Sequence, residues 1–132
     1  MPADQPPQSW DEALERLARA KESGRGMGGP AAIEKLHERG KLTPRERVEL
    51  LFDAGSFREI GEMVTGLIEV PDRPDREAAA DGVVTGWGRV EGRTVMVVAD
   101  DGSITAGARG PGGNRKVAHI RASASRNGSP RR

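Results

Sequence analysis

The sequence predicts a mixed helix-and-strand fold, α+β or α/β, with helices first and one strand–strand–helix unit after them. Three observations point there. Thr43-Pro44-Arg45-Glu46 is a capping box with proline at the first helical position, a strong helix start. Val83 to Val90 and Arg93 to Ala99 are β-rich runs separated by Glu91-Gly92, the length and residue type of a two-residue hairpin turn. Ala106 to Lys116 then carries four glycines and leads into a segment with helical spacing.

Taken in order, residues 1–8 are polar and proline-rich and are expected as a disordered leader. Ser9 is placed to cap a helix from Trp10 to about Ser23. Trp10, Leu14, Leu17 and Ala18 fall on one face, and Glu12, Glu15, Arg16 and Arg19 face water. Four glycines between Gly24 and Gly29 end this helix. A second helix is expected from Pro30 to Arg39, with Ile33 and Leu36 inward and Gly40 as its stop. The third begins at the capping box, carries Val48, Leu51 and Phe52 as its apolar stripe, and closes at Asp53-Ala54-Gly55. Phe57, Ile60 and Met63 to Val70 predict one or two short strands, and Pro71 to Ala80 a charged surface loop.

Val95 to Ala99 is apolar without alternation, which is the pattern of a strand covered on both faces. The three helices supply cover for one face, and little remains for the other. A last helix is expected from Gly112 to about Asn127, with Val117 and Ile120 as its only large apolar residues. Residues 101–132 hold seven Arg or Lys and one acid, and residues 122–132 are expected as a disordered basic tail.

Composition narrows the function classes. The 132 residues suffice for one domain at most. Charges nearly cancel, 21 basic against 20 acidic, so no global field favours nucleic acid or a membrane surface. Leu, Ile, Val and Phe make up 18% of the chain and Tyr is absent, which leaves the core thin. With no Cys, thiolate nucleophiles, disulfides and cysteine-ligated metals are excluded. No run reaches the roughly 20 apolar residues of a membrane span, and a cytoplasmic location is the expectation. Neither His37 nor His119 has partners in sequence that make a metal set, and Ser103 beside Asp100 and Asp101 reads as turn chemistry.

The glycine-rich stretch is the segment that reads as chemistry. Its glycines let backbone approach a ligand, and the first amides of the following helix are unpaired donors at the positive end of the helix dipole. Gly107, Gly112 and Gly113, with Arg109 and Lys116, are the candidate contacts to a nucleotide or coenzyme A phosphate, and Arg115 adds a further charge. The segment is neither a Walker loop nor a dinucleotide fingerprint. The alternative at this point is that the glycines simply turn a strand into a helix and the basic residues are solvated.

Two blocks resemble the N-terminal part of the biotin-dependent acyl-CoA carboxyltransferases, the β subunits of propionyl-, acetyl- and methylcrotonyl-CoA carboxylases. The first runs from Arg39 through Thr43-Pro44-Arg45-Glu46-Arg47 to Leu50-Leu51-Phe52-Asp53-Ala54-Gly55-Ser56-Phe57. The second is Asp81-Gly82-Val83-Val84-Thr85-Gly86-Trp87-Gly88-Arg89-Val90, with Gly92-Arg93 and the strand to Asp100. The resemblance implies a crotonase-like fold of repeated strand–strand–helix units, of which residues 57–121 would be a partial N-terminal domain behind a helical segment at 9–56. It implies acyl-CoA as substrate, biotin on a partner carrier, a biotin carboxylase α subunit as partner and a homo-oligomer of β subunits. Nucleic acid and membranes are not expected partners.

One departure is visible. Many members carry Asp-Phe-Thr and Gly-Gly-Ser after the second strand, where this chain reads Asp101-Gly102-Ser103-Ile104-Thr105-Ala106-Gly107-Ala108. The family's two oxyanion holes, one for the acyl-CoA enolate and one for biotin, belong to later segments that have no counterpart in this sequence. The expectation is therefore a truncated chain without activity of its own, with no catalytic residue assigned. The alternative is a non-enzymatic module that binds coenzyme A or docks on β subunits.

Overall fold

The computed structural model describes residues 6–65, 79–104 and 107–127. Four helices surround a small antiparallel sheet: α1 (Trp10–Arg25), α2 (Pro30–Glu38), α3 (Pro44–Leu51), β1 (Arg58–Glu59), β2 (Val83–Val90), β3 (Arg93–Asp100) and α4 (Pro111–Asn127). The strand order is β1-β2-β3.

Ser9 caps α1 as its sequence position predicts, with Oγ accepting the Glu12 amide at 3.2 Å. The apolar stripe of α1 is not part of the core: Trp10 is 85% exposed, Leu14 59% and Leu17 39%. The helix meets the rest of the molecule at its far end instead. Gly24, its one buried residue, lies so close to the Glu62 carbonyl that a Cβ there would sit 2.3 Å from that oxygen. In α2, Ile33 and Leu36 are half-buried. At the start of α3 both halves of the capping box are made: Thr43 Oγ1 accepts the Glu46 amide at 3.2 Å, and Glu46 accepts the Thr43 amide at 2.7 Å.

The core on the α3 face of the sheet is built from Val48, Phe52 and Val84, with Phe57, Val90, Val95, Val97 and Ala99 packed around them. Phe52 and Phe57 stack with ring centroids 5.3 Å apart. Leu51, expected in the same stripe, is 44% exposed. A three-stranded sheet is narrow, so α3 covers it with one ridge and Leu51 overhangs the edge at β3, lining a groove with Val97, Val98 and Asp100.

Of the strands predicted over 57–70, the described residues form the two-residue β1, extended by the Ile60 amide donating to the Thr85 carbonyl at 2.8 Å. Residues 63–65 are not a strand, and 66–70 lie outside the described residues. Of the expected charged loop, 71–78 are likewise outside. Ala79–Gly82 is a 3₁₀ turn with Ala80 buried, not exposed.

The hairpin is as predicted, with Val83 opposite Asp100 and Val90 opposite Arg93. Glu91 and Gly92 both have positive φ, +49° and +77°, the signature of the turn that matches strand twist. Asp53 latches this turn from the end of α3, accepting the Glu91 and Gly92 amides at 2.9 Å each. β3 is half-buried along Val95–Ala99 and not fully covered, because its outer edge pairs with no other strand among the described residues.

α4 crosses the other face of the sheet, with Val117 and Ile120 buried. The helices thus cover both faces, α3 one and α4 the other. Residues 122–127, expected in the basic tail, are the last turns of α4, and Ser123 is buried there. Serine is small and polar, so its burial is hidden from a count of Leu, Ile and Val.

Candidate functional site

The glycine-rich loop and the start of α4 stand against the turn that leads into β2. Ala80, Asp81 and Gly82 take three successive left-handed conformations, with φ of +50°, +49° and +71°. That geometry turns the Asp81 side chain under the first turn of α4. Its carboxylate accepts the Gly110 amide at 3.2 Å through Oδ1 and the Gly113 amide at 2.5 Å through Oδ2. Gly110 and Gly113 bracket the helix start, so these are two of the orphan donors of the terminus. Asp81 has no exposed surface.

Lys116 runs back in the opposite direction. Its Nζ donates to the carbonyls of Ala80 (2.9 Å) and Val83 (2.6 Å), on either side of Asp81. The stem of the side chain lies against Gly61. Burial holds its ammonium down to about 8, while the Glu59 and Asp81 carboxylates favour the charged form and Arg45 opposes it. Glu59 is itself held in a fork by Arg45, at 2.6 Å to Nη1 and 3.1 Å to Nη2, and Arg45 also reaches the Gly24 carbonyl at 3.2 Å. Arg45, Glu59, Lys116 and Asp81 therefore form a chain of alternating charge linking α1, α3, β1 and α4.

The five residues expected to face a phosphate separate into three groups. Gly113 and Lys116 are turned inward, to Asp81 and to backbone carbonyls. Gly112 is half-buried, and a Cβ there would sit 2.6 Å from Val64. Gly107, with φ +89°, and Arg109 are at the rim. Arg109 is not free: it forms a two-pronged pair with Asp100 at the end of β3, through Nε to Oδ1 and Nη2 to Oδ2 (2.8 Å for the latter). The pair lowers the Asp100 carboxyl and raises the Arg109 guanidinium, in each case chiefly through their mutual hydrogen bond. Asn114, at the end of the first turn of α4, and Arg115, just after it, are exposed.

Asp81, Arg45 and Glu59 are the members of this cluster that the sequence reading missed. Asp81 caps a helix that starts about thirty residues later, and nothing in local spacing shows such a cap; the left-handed Asp-Gly pair before a strand is its only trace. Ser103 is confirmed as turn chemistry. Its Oγ donates to Asp101 at 2.6 Å and accepts the Gly28 amide at 2.9 Å, which docks the loop after α1. His37 pairs with Glu46, 2.9 Å away, and His119 is exposed. Among the described residues no group of three or more His, Asp or Glu is placed to hold a metal, and no helix is long and apolar enough to cross a membrane.

Comparison with known proteins gives this geometry its context. Residues 35–132 match the carboxyl transferase domain. The chain is 40% identical over 119 residues to the propionyl-CoA carboxylase beta chain of Roseobacter denitrificans. The chain belongs to the carboxyl transferase family. This match covers 90% of the chain and 23% of the relative. A biotin-dependent acetyl-/propionyl-coenzyme A carboxylase beta5 subunit of Mycobacterium tuberculosis is 32% identical over 117 residues, 89% of this chain and 21% of that one. The chain thus spans about a quarter of the length of the curated relatives it matches.

Among solved structures, the transcarboxylase 12S hexamer with methylmalonyl-coenzyme A and methylmalonic acid bound superposes with a TM-score of 0.82 at 31% identity, covering 95% of this chain and 24% of that one. The hairpin, loop and α4 are accordingly a strand–strand–helix unit of a crotonase-like carboxyltransferase fold.

Proposed function

We propose that this chain is the acyl-CoA-side opening of a carboxyltransferase β subunit, whose reaction moves CO2 from carboxybiotin to the α-carbon of an acyl-CoA. The observation that carries the reading is the superposition of nearly the whole chain on a transcarboxylase holding methylmalonyl-coenzyme A. The identity to propionyl-CoA carboxylase beta chains favours a short-chain acyl-CoA, a biotin carboxylase and carrier α subunit as partner, and assembly with further β subunits. A soluble cytoplasmic setting fits those partners.

Within this reading the loop residues divide the work. Gly107, Arg109 and Gly112 stand toward coenzyme A, with Arg115 as an exposed cation beside them, while Gly113 and Lys116 fix the loop. Carboxyl transfer needs an acyl-CoA enolate, and the oxygen of an enolate is stabilised by donors fixed in advance. The donors of this cluster are already engaged: the amides of Gly110 and Gly113 serve Asp81, and Lys116 serves two carbonyls. The chain on its own therefore binds on one side and does not turn over.

Incubating the purified chain with carboxybiotin and propionyl-CoA, and measuring methylmalonyl-CoA by mass spectrometry, should give no product above a protein-free control. Product that rises with chain concentration contradicts the division between a binding side here and a reacting side elsewhere.

A further inference from the structure

We propose that Asp81 is a positioning residue for the acyl-CoA loop: its carboxylate takes the place of an external anion at the start of α4 and keeps coenzyme A phosphates off those amides. This rests on the acyl-CoA reading above. It changes which atoms of the loop are open to ligand.

A helix start that follows a glycine-rich loop ordinarily attracts phosphate, because its amides lack partners and the dipole favours negative charge. Here that position is filled from within. Asp81 accepts from Gly110 and Gly113 and is sealed from solvent, so those two amides are not open to a phosphate. Three residues are shaped to one another: a Cβ at Gly110 would lie 2.4 Å from Asp81 Oδ1, and a Cβ at Gly113 would lie 2.7 Å from the Asp81 carbonyl. The glycines thus admit the carboxylate and not a ligand.

Asp81 reaches α4 from a left-handed backbone conformation that it shares with Ala80 and Gly82. At φ +49° glycine is the low-strain choice, and the next residue, Gly82, is one. Asp81 has no exposed surface at that position, and its carboxylate makes both contacts to the start of α4. Lys116 closes the arrangement by holding the carbonyls of Ala80 and Val83. With the Gly110 and Gly113 amides taken, the cations of the described loop and early α4 that face outward are side chains at the rim: Arg115, and Arg109 by way of its pair with Asp100.

The test is an NMR titration of the ¹⁵N-labelled full chain with inorganic phosphate, formate and coenzyme A in turn. In the wild type, the Gly110 and Gly113 amides should not move with any of the three, and coenzyme A should move Gly107 and Arg115. Asp81→Gly accepts the same backbone without strain and vacates the carboxylate position. Its folding equilibrium constant should fall about tenfold or more, the loss of charge-assisted bonds. Formate at about ten times its dissociation constant should restore about tenfold and should move both glycine amides. Asp81→Asn, which leaves no space, should lose stability without formate rescue.

Saturable movement of Gly110 or Gly113 in the wild type on adding phosphate or coenzyme A overturns the assignment, as does Asp81→Gly at wild-type stability. If Asp81→Gly does not fold even in formate, the wild-type titration decides alone. Coenzyme A that moves no resonance at all counts against the acyl-CoA reading, while the phosphate and formate arms still decide the place of Asp81.

Discussion

Lys116 sits 5% exposed with its ammonium against two carbonyls, and burial lowers it from an ordinary lysine value of 10.5 to about 8. Between those values the unfolded chain binds more protons than the folded one. Stability therefore rises with pH across that window, and the cost of the buried charge is fully present below it. The rise should be on the order of 1–3 kcal/mol between about pH 7 and about pH 10, read from urea transitions with an osmolyte to bring them on scale. Lys116→Met should remove the slope; a slope unchanged in that variant would mean another group titrates. Neither this burial nor the part played by Asp81 was legible in the sequence. Arg109, Arg115 and Lys116 read alike as loop cations, and only the fold separates one that pairs with Asp100, one exposed and one buried.

At the scale of elements, local chemistry was legible wherever the partner lay within a few residues. The Ser9 cap, the Thr43 capping box and the Glu91-Gly92 turn each form as their spacing predicts. What spacing could not reveal are contacts between elements: Asp53 latching the hairpin turn 38 residues away, or Asp81 capping α4. The helix expected from Gly112 to about Asn127 forms as Pro111–Asn127, and its packing adds Gly113 and Ser123 to the expected Val117 and Ile120. Gly113 is closely packed, with a Cβ there 2.7 Å from the Asp81 carbonyl oxygen and 3.1 Å from Val83. Gly113→Ala should cost about 1–3 kcal/mol by forcing α4 away from the turn. Asp53→Ala, which only returns two exposed amides to water, should cost about 1–2 kcal/mol. Urea midpoints of the two variants check both figures, and a Gly113→Ala variant at wild-type stability would contradict the close approach.

For the whole molecule, the thin composition has a direct structural counterpart. Buried apolar side chains are few, split between the α3 and α4 faces of a three-stranded sheet, and the stripe of α1 faces solvent. A chain of charges from Arg45 through Glu59 and Lys116 to Asp81 runs between these elements. Such an arrangement suits a unit whose relatives are about four times longer. The most direct measurement replaces the matching 119 residues of the Roseobacter denitrificans propionyl-CoA carboxylase beta chain with those of this chain and assays the assembled chimera with its α subunit. The expected result is biotin-dependent formation of methylmalonyl-CoA within about tenfold of the parent rate, one transition-state increment of about 1.4 kcal/mol. A chimera that folds and assembles normally yet forms no methylmalonyl-CoA would contradict the account.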